Sequence, residues 1–245
     1  AVPVIVQTRQ ADDFKLTPRQ LRESVTAKTK ILLLCSPSNP TGTMYRPDEL
    51  GQLAEVAIGE DLLVVADEIY ERLVYAGHQF ASFATVRPGL SERTILVNGV
   101  SKTYAMTGWR IGWTLSPTNV AKAISGLQSQ QTSNPCSISQ YAAIAALNGP
   151  QACVEHMLGE FAKRRQFVQQ RLERIPGLSC ADMAGAFYAF VNISEHLGRD
   201  YDGVRIDNSS QWSLELLQRH NVATVMGSAF GAEGYARISF AASME

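Results

Sequence analysis

Along the first part of the chain, short unbroken apolar runs alternate with polar, turn-rich stretches. Ile31-Leu32-Leu33-Leu34-Cys35 is one such run, and it ends in Ser36-Pro37-Ser38-Asn39-Pro40-Thr41-Gly42. Pro47-Asp48-Glu49-Leu50 then opens a helical period with apolar Leu50, Leu53, Ala54, Val56 and Ala57, and Pro47 suits its first turn. Leu62 to Ala66 is the next run, halted by Asp67-Glu68. Arg93 to Val97 gives a third strand, stopped by Asn98-Gly99, and Arg110 to Leu115 reads as a fourth. Continuous rather than alternating apolarity predicts strands covered on both faces, hence a mainly parallel sheet with helices on either side.

From Pro117 to about Leu147 the pattern is mostly helical, with a break at Ser133-Asn134-Pro135. Pro150 to Ile175 predicts a long helix whose basic middle, Lys163-Arg164-Arg165, reads as a solvated face. After Pro176-Gly177 the style changes. Short alternating strands (Ala186 to Ile193, Val222 to Met226, Ala236 to Phe240) surround one helix near Ser210 to His220, and Gly198 to Asn208 reads as a polar loop. The pattern predicts an α/β protein, with a three-layer α/β/α large domain over residues 1–155. A partial α+β small domain over 156–245 follows, with the long helix joining the two. Val2-Pro3-Val4-Ile5-Val6 at the start, and the strand-like run just before Met244-Glu245, give both ends the look of a cut.

Composition narrows the class. Of the 245 residues, 45% are apolar and 18% charged, the balance of an ordinary globular protein. Lys+Arg 22 against Asp+Glu 23 leaves a net charge of -1, so no global basic field points to nucleic acid. No apolar run approaches membrane-spanning length, and no basic region followed by an apolar stretch opens the chain. Cys35, Cys136, Cys153 and Cys180 are far apart, as are His78, His156, His196 and His220. That spacing predicts neither a zinc site nor a disulfide framework, and a cytoplasmic setting. No glycine-rich nucleotide loop is present.

In doubly wound sheets, functional groups gather at the carboxyl ends of strands. Four turns there carry polar clusters: Asn39-Pro40-Thr41-Gly42, Asp67-Glu68-Ile69-Tyr70, Ser101-Lys102, and Arg110 just inside the fourth strand. Taken singly, Asp67 reads as a helix N-cap, Lys102 as a solvated lysine and Asn39 as a turn residue. Arg110 in an apolar strand must reach water or an anion. Together, Asp67, Lys102 and Arg110 could meet in one pocket.

The string Ser101-Lys102-Thr103-Tyr104-Ala105-Met106-Thr107-Gly108-Trp109-Arg110-Ile111-Gly112 resembles the cofactor-lysine signature of the class I/II aminotransferases. These are pyridoxal-phosphate enzymes of fold type I. Ser36 to Gly42, Asp67 to Tyr70 and Ala236-Arg237-Ile238-Ser239-Phe240-Ala241 match three further blocks in the family's order. Val97 to Lys102 and Gln128 to Ser133 look most like bacterial aspartate aminotransferases.

The resemblance implies that Lys102 holds pyridoxal as a Schiff base and moves the substrate's Cα proton, and that Asp67 keeps the pyridine nitrogen protonated. It implies Tyr70 and Asn39 at the ring's phenolic oxygen, and Ser101 and Arg110 on the phosphate. Arg237, with Asn39, would grip the substrate α-carboxylate, beside the matching block Gly185-Ala186-Phe187-Tyr188. Three positions depart from the family's pattern. Gly99 stands where a phosphate-binding serine often occurs, no acidic residue precedes Gly185, and Met226 replaces a common proline or histidine. Trp113, Trp212 and the phenylalanines read as core.

The implied activity is transamination, with aspartate and 2-oxoglutarate as the first substrate pair. Aromatic amino acids or prephenate are rivals within the family. A fold-type-I lyase, or the pyridoxal-phosphate module of a transcriptional regulator, are alternatives outside transamination. The resemblance further implies a homodimer with Thr132-Ser133-Asn134 reaching across the interface. It also implies an upstream segment that supplies part of the small domain, a phosphate loop and an aromatic that stacks on the cofactor. The expectation is therefore that this polypeptide alone binds the cofactor poorly.

Overall fold

A computed structural model describes residues 1–244. Helix α1 (Pro18–Ser24) leads into strand β1 (Ile31–Cys35), helix α2 (Pro47–Gly59), and strands β2 (Leu63–Asp67), β3 (Thr94–Gly99) and β4 (Gly112–Leu115). These strands form one sheet in the order β1-β2-β3-β4. The β1–β2 and β2–β3 pairs are parallel and β3–β4 is antiparallel, so the sheet is mainly parallel as the apolar runs predict. Leu32, Leu34, Val64 and Ala66 pack with Leu50, Leu53, Ala54, Val56 and Ala57 of α2 and with Phe83 and Leu90 in one core. Each large apolar side chain sealed there contributes roughly 1.5–3 kcal/mol.

The predicted cover on both faces is not formed over β1 and β2 by the described residues. Ile31 and Leu33 are 52% and 73% exposed on the face away from α2. Helices α3 (Thr118–Gln131) and α4 (Ser137–Asn148) follow β4, but α3 has no buried residue and α4 has only Ser139 and Ala143. The long helix α5 (Ala152–Leu172) leads to β5 (Ser179–Cys180), β6 (Tyr188–Asn192), β7 (Arg199–Tyr201), β8 (Val204–Ile206), α6 (Ser209–His220), β9 (Val225–Met226) and β10 (Tyr235–Ser239). A second sheet runs β5-β6-β10-β9 with antiparallel pairs, and its core includes Phe161 and Leu172 of α5.

Several expectations change. The supposed polar loop 198–208 holds the β7–β8 hairpin, turned at Asp202 (φ 48°) and Gly203 (φ 80°), the Asp-Gly pairing that such two-residue turns favour. Residues 2–6 form no strand, since no neighbouring edge pairs with them, and Val2, Val4 and Ile5 are exposed. Strand β3 runs through Asn98 and Gly99 because β4 pairs with both. Arg165 is not solvated: it donates to the Asp182 carboxylate at 2.5 Å and to the Met183 carbonyl at 2.6 Å. Among the described residues no helix is long and apolar enough to cross a membrane.

Candidate active site

Parallel strands end on the same edge, and the register makes that edge specific. Cys35 of β1 lies beside Asp67 of β2, and Asp67 beside Val97 of β3. Strand β4 runs the other way, so its first residue, Gly112, pairs with Gly99 at this edge. The amide of Val100 donates to the Ile111 carbonyl at 3.3 Å, which continues the ladder and sets Arg110 opposite Ser101. All four polar turns therefore open on one side of the sheet.

The turn after β1 is braced from both sides. The Ser36 amide donates to the Asp67 carbonyl at 3.1 Å, and the Gly185 amide to the Gly42 carbonyl at 2.9 Å. Gly42 has φ 71°, and a Cβ there would stand 2.5 Å from the Tyr188 carbonyl, so only glycine lets the second sheet approach this closely. Asn39 is thereby held facing β10, where its Oδ1 accepts from Nη1 of Arg237 at 2.8 Å.

Asp67 is half-buried, and its Oδ1 accepts from the Ile69 amide at 3.1 Å. No helix follows it, so it caps a turn rather than a helix. Glu68, the next residue, points into the opposite, buried side, and its Oε1 accepts from the Ser82 hydroxyl and the Phe83 amide. Tyr70 is buried, with its hydroxyl 3.0 Å from that of Tyr188. Burial pushes the Tyr70 phenol well above its ordinary range, so it stays protonated. The Lys102 amine lies 5.9 Å from the Tyr70 ring centroid and 5.8 Å from that of Phe187.

Arg110 is not inside β4 as the sequence suggests. It ends a short turn, Thr107–Trp109, with φ 54°, a backbone conformation that costs a non-glycine residue about 1–3 kcal/mol. Its guanidinium is exposed and donates to the Thr107 carbonyl at 3.0 Å. Of the three residues expected to meet, Asp67 and Lys102 lie over the sheet end and Arg110 stands at the rim. Ser101 is half-buried beside it. Gly99 has a reason of its own: a Cβ would meet the Ile111 carbonyl at 2.8 Å and the Gly112 Cα at 3.0 Å, so this position cannot take serine without opening the β3–β4 pair.

Arg237 pairs in register with Phe190 across β10 and β6. Its guanidinium carbon lies 4.6 Å from the Tyr188 ring centroid and 5.2 Å from that of Phe230. The Nε is enclosed without a partner. Phe187 and Phe230, taken as core from sequence, thus face the two cations, and only their neighbours in space reveal it. Met226 accepts a hydrogen bond from Ser210 at its sulfur, and nothing in the structure explains its departure from the family's residue.

Among the described residues, no carboxylate pairs with Lys102, Arg110 or Arg237, and no cation pairs with Asp67. The donor set is two cations and a hydroxyl around the β3 turn, a carboxylate and a phenol one strand away, and a cation across the gap. It fits a phosphorylated, ring-nitrogen cofactor together with a carboxylate substrate.

Comparison with known proteins gives the family and the fold. The family model described as aminotransferase class I and II matches residues 1–245. The chain is 44% identical to an aspartate aminotransferase of Geobacillus stearothermophilus over 244 residues, covering 100% of this chain and 61% of the relative. It is 43% identical to an aspartate/prephenate aminotransferase of Nitrosomonas europaea, covering 99% and 62%. The structure superposes on an aspartate aminotransferase from Rhizobium meliloti with a TM-score of 0.91 at 43% identity, covering 96% of this chain and 59% of that one. An aromatic aminotransferase from Pyrococcus horikoshii gives 0.90 at 38% identity, covering 98% and 63%. The chain thus spans about three fifths of the length of these relatives. Its fold is that of the fold type I enzymes, and the chain belongs to the class I and II aminotransferases.

Proposed function

We propose that the protein is a pyridoxal-phosphate-dependent transaminase that passes the amino group of aspartate to 2-oxoglutarate. The observation that carries this reading is the placement of Lys102. Its amine stands just past a strand end beside the Tyr70 and Phe187 rings, and Asp67 ends the neighbouring strand. Relatives named aspartate aminotransferase support the substrate pair.

Pyridoxal phosphate, when bound, supplies a reactive aldehyde and a ring that accepts electron density. The residues of this chain do the rest. Asp67, free of any cation, holds the proton on the ring nitrogen. Tyr70, kept protonated, and Asn39 serve the phenolic oxygen. Ser101 and Arg110 hold the phosphate, Arg110 through its planar fork. Lys102 takes the substrate's Cα proton and returns it on the far side of the transfer. Arg237, oriented by Asn39, binds the α-carboxylate. Residues 1–155 form the cofactor-binding unit and 156–245 the smaller unit that brings Arg237 to it. The working form is a cytoplasmic homodimer whose partners are an amino acid and a 2-oxo acid.

The test is a spectrum with added pyridoxal phosphate for wild type and Lys102→Ala, followed by assay with aspartate and 2-oxoglutarate. The wild type is expected to show a lysine-dependent absorption band at high pyridoxal-phosphate concentration and to form oxaloacetate slowly. Lys102→Ala should lose the band and turn over about a thousandfold more slowly or worse. A wild-type protein without the band, or one that releases ammonia or carbon dioxide instead, would overturn the reading. Relatives named aspartate/prephenate aminotransferase favour prephenate as a second acceptor, which the same assay measures.

A further inference from the structure

Tyr188 stands between the two poles of the site. Its hydroxyl is 3.0 Å from that of Tyr70, and the two rings meet edge to face with centroids 5.8 Å apart. The guanidinium carbon of Arg237 lies 4.6 Å from the same Tyr188 ring. The β6–β10 register explains the placement. Arg237 pairs with Phe190 and Ser239 with Tyr188, so alternation puts Tyr188, Phe190 and Arg237 on one face of the sheet.

Arg237 needs such a neighbour. Asn39 accepts from its Nη1, the Nε is enclosed without a partner, and no hydrogen bond from Nη2 forms among the described residues. A carboxylate partner would fix the guanidinium but would compete with the substrate for it. An aromatic face holds the cation by its quadrupole and leaves the in-plane donors free. At the other end, a hydroxyl that donates to Tyr70 leaves the Tyr70 proton available and polarises it further.

We propose that Tyr188 is a positioning residue for both groups. Its ring face holds the guanidinium plane of Arg237 so that Nη2 is left for a substrate carboxylate. Its hydroxyl donates to Tyr70, leaving Tyr70's own proton for the cofactor's phenolic oxygen. The assignment rests on the transaminase reading above.

The test compares the wild-type protein with Tyr188→Phe and with pentafluorophenylalanine placed at position 188, two changes that keep the ring's shape. Cofactor-free protein is titrated with succinate, an unreactive dicarboxylate. Tyr188→Phe is expected to bind within about twofold of wild type, and the fluorinated ring, with its quadrupole reversed, about fivefold more weakly. Arg237→Ala should abolish binding. Equal affinity for the two rings, or no succinate binding by wild type, overturns the clamp on Arg237. With pyridoxal phosphate added, Tyr188→Phe is expected to raise the pH midpoint of the lysine-dependent band, and an unmoved midpoint overturns the role of the hydroxyl. Loss of packing alone would lower thermal stability without grading succinate binding by ring charge. If wild type lacks the band while succinate binding still follows the ring, the transaminase reading fails and the clamp stands.

Discussion

Two adjacent carboxyls, Asp67 and Glu68, show how much a single residue step decides. Strand alternation sends them to opposite faces. Asp67 faces the site, whereas Glu68 is 3% exposed, with Oε1 taking two hydrogen bonds and Oε2 none. Burial pushes the Glu68 carboxyl up from 4.5 to about 7; the Phe83 amide and Ser82 hydroxyl oppose that, and the nearby Glu71 and Asp67 charges add to it. A raised carboxyl binds its proton more tightly in the folded than in the unfolded chain. Its contribution to stability is therefore complete below about pH 4.5 and is lost as the pH rises through about 7. Glu68→Gln removes this dependence. Relative to wild type, the variant should gain on the order of 2 kcal/mol between about pH 5 and pH 8, read from thermal melts. A constant difference between the two conditions would show the carboxyl ionised throughout. The sequence placed both acids at a strand end but could not say which one the fold buries.

At the scale of elements, the β3–β4 pair governs the lysine turn. Gly99 and Gly112 face each other so closely that a side chain at residue 99 meets backbone, which gives no way without parting the strands. Gly99→Ser should cost about 1–3 kcal/mol and, despite the added hydroxyl, weaken rather than strengthen pyridoxal-phosphate binding, as measured by melting and cofactor titration. Tighter binding at unchanged stability would contradict the steric account. Other elements carried signals that periodicity misses. Thr17-Pro18-Arg19-Gln20 is a capping box with proline at the first turn, and both of its reciprocal hydrogen bonds form at the start of α1. Asp202-Gly203 marks the β7–β8 turn in the same way. Arg110 lies two residues before β4 rather than in it, and an apolar run following a charged residue looks the same in sequence whether the charge lies in the strand or in the turn before it.

At the scale of the molecule, one face of the main sheet is bare. Ile31, Leu33 and Leu63 are exposed on it, and Leu127, Ile138, Tyr141, Ile144 and Leu147 are exposed on α3 and α4. Ile138 and Tyr141 are 71% and 74% exposed, more than isolated surface residues would explain, since they adjoin others of the same kind. The 245-residue polypeptide expressed by itself should therefore self-associate and bind an apolar-surface dye, as read by gel filtration with light scattering and by fluorescence. A monodisperse monomer that leaves the dye dark would contradict this.

The local chemistry of the chain determined a good part of the outcome by itself. Apolar runs of strand length named β1 to β3, the Pro47 helix and α3 to α6 followed from period and turn residues, and the motif order pointed to the family and its lysine. These are short-range properties, set by backbone propensity and side-chain spacing. Only the tertiary structure decided which groups meet. Asn39 and Arg237 are 198 residues apart yet hydrogen-bonded, and Tyr70 and Tyr188 are 118 apart yet share a hydroxyl contact. Such pairs depend on the register between strands and on the close approach of two sheets at Gly42. A shift of one residue in either would turn every side chain to the other face, and no pattern along the chain records that choice.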